Sequence, residues 1–163
     1  MQTIAGSHDG SDLRIAIVAA RFDKSGVIDA LIEGAVKTAA ECRVADDALT
    51  LARVPGAFEL PAAAQRLAAS GQYDAIVCIG SVVRGETSHF DFVAGESARG
   101  IADVSREFGL PVTFGVITAD TDEQARARAG GNVRNSGREA MLAAVEMAIL
   151  FRQLPTAGRG ASS

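Results

Sequence analysis

The chain contains no tryptophan, two cysteines and two histidines. With alanine, glycine and valine dominating instead, the composition suits tight strand–helix packing better than a broad aromatic groove. Cys42 and Cys78 lie inside apolar segments with no paired spacing. That argues against a disulfide framework or a thiolate metal site, and it fits a reducing cytoplasm. There is no excess of basic charge: the formal net charge is −4, with both signs mixed. A basic patch of the kind that holds nucleic acid is missing. No stretch approaches the roughly eighteen consecutive apolar residues that a membrane span needs. The opening MQTIAGSHDGSD lacks the charged start and apolar core of a signal peptide. Also missing are the P-loop, G-x-G-x-x-G, HExxH and G-x-S-x-G motifs. Nucleotide-dependent phosphoryl transfer, Rossmann-type hydride transfer and serine hydrolysis therefore lack their usual residues.

What is present is a core and an order. The 163 residues are 48% hydrophobic, enough for one domain with a sizeable interior. Four short apolar runs have strand length: Ile15–Ala20, Leu49–Val54, Ala75–Gly80 and Val112–Thr118. Most are continuously apolar, the pattern of strands covered on both faces. Between them, apolar residues recur at helical spacing: Val27, Leu31, Ala35, Val36 and Ala39; Leu60, Ala63, Ala64, Leu67 and Ala68; Phe90, Val93, Ala94, Ile101, Val104 and Phe108. Two more helical segments follow, roughly 121–129 and 136–153. Strand–helix alternation of this kind predicts an α/β fold with a parallel sheet and helices on both faces. A single domain is expected over residues 13–153, with flexible segments at 1–12 and 154–163. Gln2–Ala5 has the makings of an extra edge strand on a neighbouring chain.

In open parallel sheets, ligands bind beyond the carboxyl ends of the strands. The segments that follow the four runs are therefore the place to look. They are Arg21-Phe22-Asp23, then PGAFELP, then SVVRGETSHFDFV, then Ala119-Asp120. In RGETSHFD, Gly85 permits a tight turn, and Ser88 with Asp91 fits a capping box that starts a helix near residue 88. Such a helix start caps itself and nothing more, or it holds an anion on its free N–H groups. Glu86 weighs against the anion unless its side chain points away. His89 sits in the first turn. Imidazole changes charge near neutral pH, so it is either a proton-transfer group or a surface histidine without duty. Its place at the ligand edge leaves the two readings balanced. Glu59, after the Pro55-Gly56 turn, either holds hydroxyls of a polar ligand or favours the following helix start electrostatically. Phe22 either stacks on a planar ring or closes the core. In ARAGGNVRNSGREA, Arg128 or Arg134 pairs with a phosphate, or the whole stretch is a solvated connector between two helices.

Taken together and in order, ARFD (20–23), VPGAFELP (54–61), SVVRGETSHFDFV (81–93) and EQARARAG (123–130) resemble the 6,7-dimethyl-8-ribityllumazine synthase family over about residues 13–152. The resemblance implies a flavodoxin-like three-layer sandwich with a four-stranded parallel sheet. It implies condensation of 5-amino-6-(D-ribitylamino)uracil with 3,4-dihydroxy-2-butanone 4-phosphate, without metal or organic cofactor. By the same resemblance, Phe22 stacks on the pyrimidine, and Ala57, Phe58 and Glu59 hold the ribityl chain and ring edge. Val82 and Val83 contact the pyrimidine. Gly85, Glu86 and Thr87 form the phosphate pocket, Arg128 clamps the phosphate, and His89 moves protons. Phe114 reaches the site of an adjacent subunit, so sites lie between chains of a pentamer. Pentamers of the family occur alone, as decamers or as sixty-subunit shells; the connector between the last two helices has no obvious insertion here, which leans towards the shell. One position departs from the family: Ser136 stands in Asn135-Ser136-Gly137 where the family often has lysine. That departure motivates a second expectation, a flavin-binding or shell-forming relative with weak catalysis.

Overall fold

The computed structural model describes residues 1–130 and 133–156. Its sheet has four strands: β1 (Ile15–Ala20), β2 (Leu49–Val54), β3 (Ala75–Val83) and β4 (Val112–Ala119). They lie in the order β2-β1-β3-β4 and every pairing is parallel. Five helices connect and follow them: α1 (Ile28–Glu41), α2 (Leu60–Ala69), α3 (His89–Phe108), α4 (Asp122–Ala127) and α5 (Ser136–Gln153). This is the flavodoxin-like α/β three-layer fold that the alternation predicts.

The two central strands supply both halves of the core. Ile15, Ile17 and Ala19 of β1, with Ala75, Val77 and Ile79 of β3, pack under α1 and α5. The residues between them, Ala16, Val18, Ile76 and Cys78, pack under α2 and α3. Side chains alternate across a strand, so a strand covered on both faces must be apolar at every position. Each fully buried Ile or Leu contributes roughly 1.5–3 kcal/mol relative to exposure. The continuous-burial reading holds for β1 and most of β3 but not for the edges. β2 is exposed at Thr50, Leu51 and Arg53, because it has a neighbour on one side only. Val36, counted above among the helical repeats of α1, is likewise exposed.

The third strand runs three residues past its apolar run, to Val83. Val82 pairs with Thr118 and Val83 with Ala119, and the ladder continues with Arg84 N–H on the Ala119 carbonyl at 2.9 Å. Partner pairing, rather than hydrophobicity, thus carries Ser81–Val83 out to the edge of the sheet.

Helix ends explain the boundaries. Pro61 occupies the first turn of α2, where a missing N–H does no harm. Gly109 closes α3 in the left-handed conformation, φ 59°. Thr121 caps α4 through Gln124 N–H, and Asn135 caps α5 through Arg138 N–H at 2.9 Å. Before α5, part of the connector (Gly131 and Asn132) lies outside the described residues, as does the tail from Ala157 to Ser163. Gln2–Ala5 forms no strand within the chain. The N-terminal segment runs beside α5: Gln153 Nε2 donates to the Ala5 carbonyl at 3.0 Å, and His8 meets Glu146 at 3.3 Å.

Candidate active site

The sheet order reverses direction between β1 and β3, and ligands bind at such a switch point in open α/β sheets. Three strand-end segments converge there. After β1, the N–H groups of Arg21 and Phe22 donate to the carbonyls of Val54 and Pro55 at 2.8 and 2.9 Å. This continuation of the ladder leaves the Phe22 ring 70% exposed at the rim. Asp23 Oδ2 then accepts from Ile28 N–H at 2.7 Å and starts α1. After β2, a short 3-10 turn at Ala57–Glu59 leads into α2, with the Phe58 ring exposed. The Glu59 carboxylate accepts the Gly56 N–H at 2.9 Å, so one of its oxygens serves the helix entry. Gly56 itself is extended, φ −149°, and the turn needs no left-handed residue.

After β3 comes the turn into α3. Gly85 has no positive φ, so its role there is not the conformational one expected; a Cβ at this position would meet open space. The expected capping box does not form. Ser88 stands at the N-cap without a side-chain hydrogen bond, and His89 N–H is met by Thr87 Oγ1 at 3.3 Å instead. The Asp91 carboxylate turns to the Arg84 guanidinium at 3.4 Å, and a charged donor outcompetes a backbone one.

These segments enclose a cavity of about 620 Å³. Phe22, Ala57, Phe58 and Glu59 line it from the β1 and β2 ends; Val82, Val83, Gly85, Thr87 and His89 line it from β3 and α3. Of the same turn, Glu86 is exposed and does not line it. Several lining residues escaped the sequence reading. Phe92 and Val93 follow His89 by three and four residues, which places them on the same helix face. Helical spacing alone would have found them. Lys24 and Ser81 carry no motif signal. The Ser81 hydroxyl is buried at the cavity wall and, among the described residues, has no hydrogen-bond partner. A buried unpaired hydroxyl is costly, and a polar ligand atom would satisfy it.

Phe114 and Arg128 do not reach this cavity. They line a second concavity of about 420 Å³ between β4 and α5, together with Arg134, Ser136 and Glu139. Arg128 Nη1 donates to the Gln124 carbonyl at 3.0 Å, while Arg134 pairs with Glu139 at 3.5 Å. Ser136 N–H is held by the Arg128 carbonyl at 2.9 Å. One chain therefore carries two separate lined surfaces, which between them hold every expected site residue except Glu86.

The cysteines stand apart from both. Burial pushes the Cys78 thiol up to about 12, so it is protonated and unreactive in the core. Burial also raises the Cys42 thiol. Among the described residues no group of three or more His, Cys, Asp or Glu is placed to hold a metal, and no helix is long and apolar enough to cross a membrane.

Fold and cavity together define an open-sheet α/β protein with a ligand-sized pocket at its switch point. A family model for 6,7-dimethyl-8-ribityllumazine synthase matches residues 12–152, and the chain belongs to that family. The family consists of transferases of riboflavin biosynthesis, which act on small-molecule substrates and self-associate.

Proposed function

We propose that this chain condenses 5-amino-6-(D-ribitylamino)uracil with 3,4-dihydroxy-2-butanone 4-phosphate, giving 6,7-dimethyl-8-ribityllumazine, phosphate and water. The observation that carries this reading is the convergence of three separate strand-end motifs on one cavity. In this reading the pyrimidine stacks on Phe22, with Val82 and Val83 beneath its edge. Ala57, Phe58 and the free oxygen of Glu59 hold the ribityl chain. The Ser81 hydroxyl offers one more polar contact. The phosphate lies on the turn Gly85, Glu86 and Thr87, where N–H groups at the start of α3 favour an anion. Glu86 contributes backbone only, with its carboxylate in solvent.

The chemistry is Schiff-base formation between the substrate amine and the ketone, loss of phosphate, and ring closure. His89, beside the phosphate turn and lining the cavity, relays the protons these steps release and consume. Holding two reactants together can contribute a large share of the acceleration.

Arg128 and Phe114 line a different surface of the same chain; in this reading they complete the cavity of a neighbouring subunit. This supports a site between chains, and with it a pentamer that stands alone or builds a shell. The buried free thiols of Cys42 and Cys78 fit action in a reducing cytoplasm. Ser136, on the second surface, favours one alternative, a flavin-binding relative with weak catalysis.

Mixing the purified protein with both substrates and following lumazine absorbance tests the proposal. Formation well above the uncatalysed rate is expected. A rate equal to background, together with tight riboflavin binding, would select the alternative.

A further inference from the structure

Arg84 is the first residue after β3, and none of the roles above uses it. Its guanidinium faces three groups. Nε donates to Asp120 Oδ1 at 2.8 Å, just past the end of β4. Nη1 donates to Asp91 Oδ1 at 3.4 Å, in the first turn of α3. Its Cζ stands 4.2 Å from the centre of the Phe90 ring, and Phe90 lines the cavity. The hydrogen bond to Asp120, then the charge of Asp91, hold the guanidinium more firmly protonated than usual.

Exposed ion pairs add little to stability, so stability alone does not account for this cluster. The start of α3 offers a better reason. At the start of α3 the N-cap Ser88 makes no side-chain hydrogen bond, and His89 N–H meets only the long contact to Thr87 Oγ1 at 3.3 Å. Only Gly85–Ser88 separates Arg84 from His89. A flat, forked side chain meets two carboxylates and a ring at once, a geometry that the point charge of an ammonium matches less well.

We propose that Arg84 is a positioning residue: by bridging Asp120 and Asp91 and packing on Phe90, it fixes the weakly held start of α3 and so places the Gly85–Thr87 turn and the His89 ring. This rests on the reading of that turn and of His89 given above.

The test uses the full chain with Arg84→Ala and Arg84→Lys. For Arg84→Ala, kcat/KM for the butanone phosphate is expected to fall about 10- to 100-fold, because small misplacements at a reacting centre have effects of that order. KM for the pyrimidine should stay within about twofold, since its contacts come from other loops. Arg84→Lys should recover part of the loss. Asp120→Asn should add less in the Arg84→Ala background than alone, as expected for partners in one network. A second readout does not need turnover. The chain has two histidines, so the His89 ring signals in an NMR spectrum are assigned by comparison with His8→Gln. They should move in Arg84→Ala while Tm stays within about 2 °C. Unmoved His89 signals with unchanged kcat/KM overturn the inference. Equal losses for both substrates with a lowered Tm also overturn it, since that is a merely structural role. If the unaltered protein forms no lumazine, the proposed reaction fails, and the His89 signals alone decide for or against the positioning role.

Discussion

At the scale of single residues, His89 carries the proposed proton transfer. It is exposed, lines the cavity, and sits where three loops meet. A general acid–base group contributes about 10²- to 10⁴-fold, and proximity survives its loss. His89→Ala should therefore lower kcat by roughly 10²-fold or less. An unchanged kcat in steady-state assays would remove the proton-transfer role. The sequence placed this residue at the right edge, because strand order and loop position were readable from apolar runs. It misplaced the partners around it. Ser88 and Asp91 have the spacing of a capping box, yet spacing says nothing of a competing arginine. Arg84 lies seven residues before Asp91 and takes the carboxylate that the cap would have used.

At the scale of elements, α1 and α5 pack backbone to backbone. A Cβ on Gly137 would lie 2.0 Å from the Leu31 carbonyl oxygen. Asn135, which caps α5, also donates Nδ2 to the Ala30 carbonyl at 3.1 Å. Alanine is the better helix former by about 1 kcal/mol, but a backbone carbonyl cannot yield as a flexible side chain does. The clash wins, so Gly137→Ala should destabilise by about 1–3 kcal/mol in a denaturant melt. Equal or raised stability would show that the helices have room to separate. Helix positions and types were legible from spacing, and all four strands of the described residues start where their apolar runs start. The last three residues of β3 were not legible. Their pairing depends on how far β4 extends beside them, which no local pattern encodes.

At the scale of the whole molecule, the expected site residues other than Glu86 fall on two surfaces of one chain. If sites form between subunits, inactive variants of opposite surfaces should rescue each other. His89→Ala and Arg128→Ala are each expected to be impaired, Arg128→Ala chiefly through a higher KM for the butanone phosphate. After dissociation and reassembly together, some interfaces pair an intact His89 surface with an intact Arg128 surface. Activity above the sum of the two separate variants is expected. Activity equal to that sum would place each site within one chain. Sedimentation or electron microscopy of the unaltered protein then distinguishes pentamer from shell.

The sequence by itself determined the class of fold, the order of its elements and the edge of the sheet where the strand-end motifs gather. Those follow from hydrophobic period and strand–helix alternation, which are local properties of the chain. Only the tertiary structure decided which motifs share a cavity. The β1, β2 and β3 ends meet because β1 and β3 lie side by side at the switch point. Phe114 and Arg128 are turned to the far side of β4, beside α5. The same long-range packing gave Asp120 to Arg84 and left the Ser81 hydroxyl buried without a protein partner among the described residues. Contacts of this kind join residues distant in sequence, and they exist only once the sheet has formed.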